Sequence, residues 1–380
     1  MAAGTLIREA AMHMFCYQCQ ETGEGLGCRF GGTCGKDDDT ANALDLLIWS
    51  LKGLALAHRL ADLAPDEDTQ HFVALALFAT VTNVCFDAEH FRDLASEALR
   101  RKGDVVARHG LTEGGELVQW QPAERGDLTR KALQVGIPFE SPDEDIRSLR
   151  ETIIYGLKGI TAYHHHALIL GHDDPELGPF TLSALADTAS PLTLDELLAL
   201  ALETGRVTIR SMALLELANS ARYGQPQPTP VFLGVGERPG ILVTGHDLLD
   251  LEALLAQTAG LGIDIYTHSE MIPAHYYPVL KAHPHLKANY GNAWWNQDQD
   301  FATFRGPILV TSNCITPVQP AYADRIWTTG PARYPGVPHL EPDPATGRKD
   351  FGPLIARALQ SAAPEPAGEG TFLGGFGYGV

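Results

Sequence analysis

The chain has 380 residues, 44% of them hydrophobic, and carries 28 Lys and Arg against 47 Asp and Glu, a formal net charge of −19. That length suits two or three domains with ordinary cores, and the acidity argues against nucleic acid or an anionic membrane as a partner. No stretch approaches the roughly 20 apolar residues that span a bilayer. Residues 1–13 include Arg8 and Glu9 and lack the apolar run of a secretory signal, so the expected compartment is the cytoplasm, where thiols stay reduced.

Four of the six cysteines open the chain as C-x2-C-x8-C-x5-C: Cys16, Cys19, Cys28 and Cys34. Gly23, Gly25, Gly27, Gly31 and Gly32 lie among them, with Gly35 just beyond. Glycine lets a backbone turn sharply and approach a bound group closely. Four thiolates suit an iron–sulfur cluster or tetrahedral zinc. Zinc ribbons pair two C-x2-C knuckles, and the wider second spacing here weakens that reading. Disulfides are the third reading, disfavoured in a long chain without a secretory signal.

From about 40 to 222 the pattern is helical. Asp39-Thr40 is placed to cap a helix with Leu44, Leu47, Ile48, Leu51 and Leu54 on its apolar face. Residues 72–79 are apolar nearly all round, as in a buried helix, and Cys85 in the apolar stretch beyond reads as a core thiol. Residues 46–53 and 152–159 match as LLIWSLKG and TIIYGLKG, which points to two similar helical bundles in tandem. His164, His165 and His166 are adjacent, so on a helix they fan out rather than share a face; they read as surface or packing residues. Thr193 with Glu196 forms a capping box before the next helix.

Gly224-Gln225-Pro226-Gln227-Pro228-Thr229-Pro230 ends the helical pattern, because alternating prolines cannot continue a helix. Beyond it, strands are expected at 240–245, 263–267, 307–311 and 326–328, with a helix over 247–259. Short apolar runs separated by helical stretches indicate a parallel α/β sheet. Polar residues follow each of the first three strands: His246, then His268-Ser269-Glu270, then Ser312-Asn313-Cys314. Ligands bind beyond the carboxyl ends of strands in such sheets, and imidazole, carboxylate and thiolate together suit a transition metal. Each residue also has an ordinary role: His246 as a helix cap, Glu270 as a first-turn carboxylate, Cys314 as a buried thiol. The H-x-E of 268–270 matches zinc deaminases only in part, since their P-C-x-x-C is absent. The amide- and aromatic-rich stretch 289–297 reads as a pocket lining or a packed loop.

The segment Met14-Phe15-Cys16-Tyr17-Gln18-Cys19-Gln20-Glu21-Thr22, with Cys28 and Gly32-Thr33-Cys34-Gly35-Lys36, resembles the start of the hybrid-cluster proteins, the hydroxylamine reductase family. The resemblance continues through residues 51–55, 76–80, 155–159, 245–247, 266–271, 273–275, 289–291 and 311–314. It implies that Cys16, Cys19, Cys28 and Cys34 hold a [4Fe-4S] cluster, and that His246, Glu270 and Cys314 are ligands of a hybrid [4Fe-2O-2S] cluster. It implies tandem three-helix bundles followed by Rossmann-like α/β domains. The implied reaction, part of nitrogen metabolism, is two-electron reduction of hydroxylamine to ammonia and water, fed by an electron-donor redox protein. Roles in nitric oxide reduction and nitrosative stress are also implied, and the alternative is an electron-transfer protein that keeps only the [4Fe-4S] cluster. Family members run to roughly 550 residues, typical of three-domain chains. The last of those domains supplies three further cysteines and a glutamate, so the expectation is an incomplete hybrid site, open to solvent, with weak metal affinity and doubtful activity. The expected organisation is a fold of α and α/β domains: an extension at 1–13, poorly packed and dispensable; the cysteine loop and helical domain at 14–223; a linker at 224–230; an α/β domain at 231–370; and the start of a further domain at 371–380.

Overall fold

The computed structural model describes residues 14–19 and 21–375; the extension expected at 1–13 lies outside them. The chain divides into two compact units. One takes the residues up to Val81, then Phe86–His165 and Asp173–Leu214; the other takes Thr82–Cys85, His166–His172 and the residues from Leu215. The boundary expected from the proline segment therefore falls inside the second unit, which also recruits two short pieces from the helical region.

The first unit opens with the cysteine loop and continues as helices α1 (Asp38–Leu60), α2 (Glu67–Ala79), α3 (Ala88–His109), α4 (Gly115–Gln119), α5 (Gly126–Ala132), α6 (Ile137–Glu140), α7 (Glu144–Ile169), α8 (Leu177–Thr188) and α9 (Leu194–Tyr223), of which α7 and α9 end in the second unit. Helix α1 begins earlier than the sequence suggested. Asp37, not Asp39, is its cap, and the Asp37 side chain accepts from the Thr40 amide at 2.8 Å. The box at 193–196 forms as read: the Thr193 amide donates to Glu196 at 2.8 Å and the Glu196 amide to the Thr193 hydroxyl at 3.3 Å. Helix α1 buries Leu44, Leu47, Leu51 and Leu54 and packs along both α3 and α8.

The second unit holds β1 (Thr229–Phe232), β2 (Gly240–Thr244), α10 (Leu248–Thr258), β3 (Asp264–His268), α11 (Pro278–Lys281), β4 (Leu286–Tyr290), α12 (Gln297–Thr303), β5 (Ile308–Val310), β6 (Ile326–Thr329), β7 (His339–Leu340), α13 (Gly352–Leu359) and β8 (Thr371–Gly374). Six strands form one parallel sheet in the order β4-β3-β2-β5-β6-β7, the Rossmann order. Strands β2 and β3 are buried at every residue, which is why they read as continuous apolar runs. Ile241, Val243, Ile265 and Leu309 pack with Leu251, Leu254 and Leu255 of α10 into one core.

Two sequence readings change here. Thr229-Pro230 is not linker but the start of β1, where proline is tolerated because the strand is at an edge. Residues 371–374 form β8, antiparallel to β1. Cys85 is fully buried, as expected, but it lies in a short parallel bridge to Arg333 rather than in a helix.

Candidate metal centres

The cysteine loop closes on itself through its own backbone. Cys16 and Cys28 exchange two hydrogen bonds, each of 2.9 Å. Gly27 makes that closure possible: its φ is +106°, and a Cβ there would stand 2.6 Å from the Phe15 ring. Cys34 follows the turn at Gly32, where an added Cβ would lie 3.1 Å from the Cys34 sulfur. The Cys28 sulfur accepts the amides of Gly23 at 3.3 Å and Thr33 at 3.5 Å, with the Thr33 and Thr22 hydroxyls at 3.6 and 3.8 Å. Burial acts to raise the Cys28 thiol, but these hydrogen bonds outweigh it and hold the thiol below its ordinary range. Cys16 goes the other way. Burial, and then the Asp45 carboxylate, push it up to about 12, with Lys158 opposing and Cys34 adding to the rise.

The loop therefore draws Cys16, Cys28 and Cys34 into mutual influence, with Cys19 three residues beyond Cys16. Among the described residues, no group of three or more His, Cys, Asp or Glu side chains is gathered for a single metal ion. Zinc needs its sulfurs about 2.3 Å from one point, whereas a cluster spreads its thiolates around several irons. Four cysteines on a glycine-rich loop, with amides aimed at a sulfur, fit a cluster in donor chemistry.

The second candidate site stands at the carboxyl end of the sheet. His246 follows β2, Glu270 follows β3 and Cys314 follows β5, three neighbouring parallel strands. Chain direction across the sheet reverses between β2 and β5, the switch point where such sheets bind ligands. The turns beyond these two strands are stitched together. The Thr311 amide donates to the Thr244 carbonyl at 3.0 Å, the His246 amide to the Ser312 hydroxyl at 2.9 Å and the Asp247 amide to the Thr311 hydroxyl at 3.2 Å. Gly245 permits this approach, with φ of +104° and an added Cβ only 2.5 Å from the Thr311 hydroxyl.

His246 and Glu270 are exposed and Cys314 is half-buried. Protein still crowds His246 on its other sides, and that desolvation lowers its pKa, opposed by Glu270 and by hydrogen bonding to Asn313. Cys314 is pushed up to about 12 by burial and by Glu270. Glu270 thus acts on both other residues, which places the three within one electrostatic field. A neutral imidazole, a carboxylate and a thiol that would lose its proton on ligation are chemically suited to metal.

Of the ordinary roles, Glu270 keeps its own, in the first turn of the 3-10 helix at Ser269–Tyr276. Asp247, not His246, caps α10, accepting from Leu249 and Asp250. His268 turns into the sheet between Thr244 at 3.2 Å and Asp300 at 3.1 Å. Asn289 accepts from Thr267 at 3.0 Å and Gln297 is buried, whereas Asn292 and Trp295 between them are exposed. His164 and His166 are buried rather than on the surface, His164 against Asp173 at 2.6 Å. His166 is held down to about 3 by burial, then by His246 and Lys349. It neighbours the second site, yet nothing in a run of three histidines distinguishes it.

Comparison with known proteins matches residues 14–370 to the Prismane/CO dehydrogenase family. A hydroxylamine reductase of Thermoanaerobacter pseudethanolicus is 45% identical over 375 residues, covering 97% of this chain and 68% of the relative. Those of Nitratidesulfovibrio vulgaris and Porphyromonas gingivalis are 44% and 47% identical, each covering 96% of this chain and 68% of the relative. Among solved structures, carbon monoxide dehydrogenase IV from Carboxydothermus hydrogenoformans aligns with 98% of this chain and 60% of its own, with a TM-score of 0.42 at 15% identity. The four-cysteine loop and the polar strand ends thus lie within a matched region that spans nearly the whole chain, and the chain belongs to the Prismane/CO dehydrogenase family.

Proposed function

We propose that this chain is an iron–sulfur oxidoreductase of the hydroxylamine reductase type, in which Cys16, Cys19, Cys28 and Cys34 hold a [4Fe-4S] cluster and His246, Glu270 and Cys314 contribute to a second, hybrid cluster. The observation that carries it is the strand order, which sets one of three unlike donors just beyond each of three neighbouring strands about the switch point of the sheet, in a chain whose relatives bear the name hydroxylamine reductase. The clusters would supply electrons and a Lewis-acidic iron for cleaving the N–O bond. The chain's own residues do the rest. The Gly23 and Thr33 amides stabilise negative charge on the Cys28 sulfur. Neutral His246 keeps a ring nitrogen available for iron. Glu270, exposed beside both partners, is placed to receive or pass on a proton as ammonia and water form. Two electrons and two protons convert hydroxylamine to those products, the electrons coming from a small redox protein.

An electron-transfer role with the cysteine-loop cluster alone is the second reading, favoured by the complete four-thiol set there against three donors at the sheet. Anaerobic purification with iron and sulfide counts separates them: about eight irons per chain support two clusters, about four support one, and near zero removes both. Oxidation of a reduced viologen dependent on hydroxylamine tests the reaction. With about eight irons bound and no such oxidation, the reductase reading fails.

A further inference from the structure

The internal repeat carries charge as well as apolar spacing. In the register that aligns residues 46–53 with 152–159, Asp45 corresponds to Glu151 and Lys52 to Lys158. An acid and a lysine seven residues apart lie two turns apart on one helix face. Helices α1 and α7 thus each turn one such pair inward, and Asp45, Lys52, Glu151 and Lys158 are all buried, at 8%, 2%, 7% and 3% exposure. The four charges act on one another across the two helices.

The two lysines have different partners. Lys52 pairs with Glu140. Lys158 donates to the Gln18 side-chain oxygen at 2.6 Å and to the Thr80 carbonyl at 3.2 Å, while the Gln18 amide donates to Glu151 at 2.9 Å. Gln18 lies between Cys16 and Cys19, so Lys158 and Glu151 grip the cysteine loop from behind through one amide side chain. Burial lowers the Lys158 pKa to about 8, with Glu151, Cys16 and Asp45 opposing the fall and Lys36 adding to it.

We propose that Lys158 is the charge-compensating and positioning residue of the four-cysteine loop, anchoring Gln18 and setting its ammonium against the thiolates, a role its repeat counterpart Lys52 does not share. This rests on the reading of the loop as a cluster site. One electron passing from a reduced dye makes the thiolate-bound group more negative by one charge, with no atom transferred. A buried cation nearby favours that reduced state, and weak screening in the interior preserves the effect.

The test uses the full chain, purified anaerobically as wild type, K158M, K158R and K52M. Iron and sulfide counts on the wild type come first; a chain without iron removes the cluster reading and this proposal with it. With iron present, dye-mediated redox titration reads the midpoint. K158M is expected to shift the reduction equilibrium about tenfold toward the oxidised form, about 59 mV for one electron. K158R and K52M are expected to stay close to wild type. An unchanged midpoint in K158M, or an equal shift in K52M, overturns the proposal. Where K158M fails to retain iron, retention in both K158R and K52M supports the anchoring role, and its loss in either refutes it.

Discussion

At the scale of single residues, small atoms decide whether the cysteine loop can close. Gly32 sits tightly between the Cys34 sulfur and the Lys36 carbonyl, which an added Cβ would approach to 3.1 and 3.2 Å, so that one of them must give by a few tenths of an ångström. G32A is therefore expected to displace Cys34 and lower iron content per chain, while far-UV circular dichroism, dominated by distant helices, stays unchanged. Normal iron content in G32A would show that the turn adapts. His275 offers a test of burial. Its pKa is held down to about 4, chiefly by desolvation and against a hydrogen bond that the ring donates to the backbone at Ala288. A histidine depressed in the folded state binds fewer protons there than in the unfolded chain between about pH 6.5 and pH 4. The stability it contributes is present above the upper limit and is lost as pH falls through the window, by at most roughly 3 kcal/mol. Urea unfolding across that range should show a shallower decline for H275Q than for wild type.

At the scale of elements, helix ends and central strands carry the local energetics. The Thr193–Glu196 box satisfies amides at the start of α9 that have no partner within the helix. T193A should cost about 1 kcal/mol, read as a shift in the denaturation midpoint with the slope unchanged. Leu309, fully buried in β5, sits in the sheet between β2 and β6. L309A should cost about 2–5 kcal/mol. A loss below 1 kcal/mol would mean that the core around β5 collapses to fill the space.

For the whole molecule, the second unit is not the contiguous segment that the proline run suggests. Asn83 and Ile315 exchange hydrogen bonds of 2.8 and 2.9 Å, and the Arg333 amide donates to Val84. Leu170 packs on the core of the sheet. A fragment spanning 224–375 lacks these partners and leaves backbone groups near Ile315 and Arg333 unpaired, at about 1–3 kcal/mol for each buried group. It is expected to unfold at lower denaturant than the α/β unit within the full chain, as followed by Trp fluorescence. Equal stability would show that the short recruited segments contribute nothing.

The sequence by itself determined the residue types and the local periods. The cysteine spacing marked the first site, continuous apolar runs located β2, β3, β5 and β6, and Thr193 with Glu196 marked a helix start, because all these signals act between neighbours in the chain. The polar residues after three strands were legible for the same reason, since a strand end and the donor beyond it are adjacent in sequence. Tertiary structure alone decided what distant segments do together. Strand β7, two residues long, is too short to show a pattern, and β1 was hidden by Pro230, which only an edge position tolerates. Thr371–Gly374 became a strand because β1 offered it a partner. The grip of Lys158 on Gln18 joins residues 140 positions apart, and no local rule of spacing reaches across that distance. Burial of both lysines of the repeat follows from packing of helix faces, and the loop beside one of them gives two equivalent residues different work.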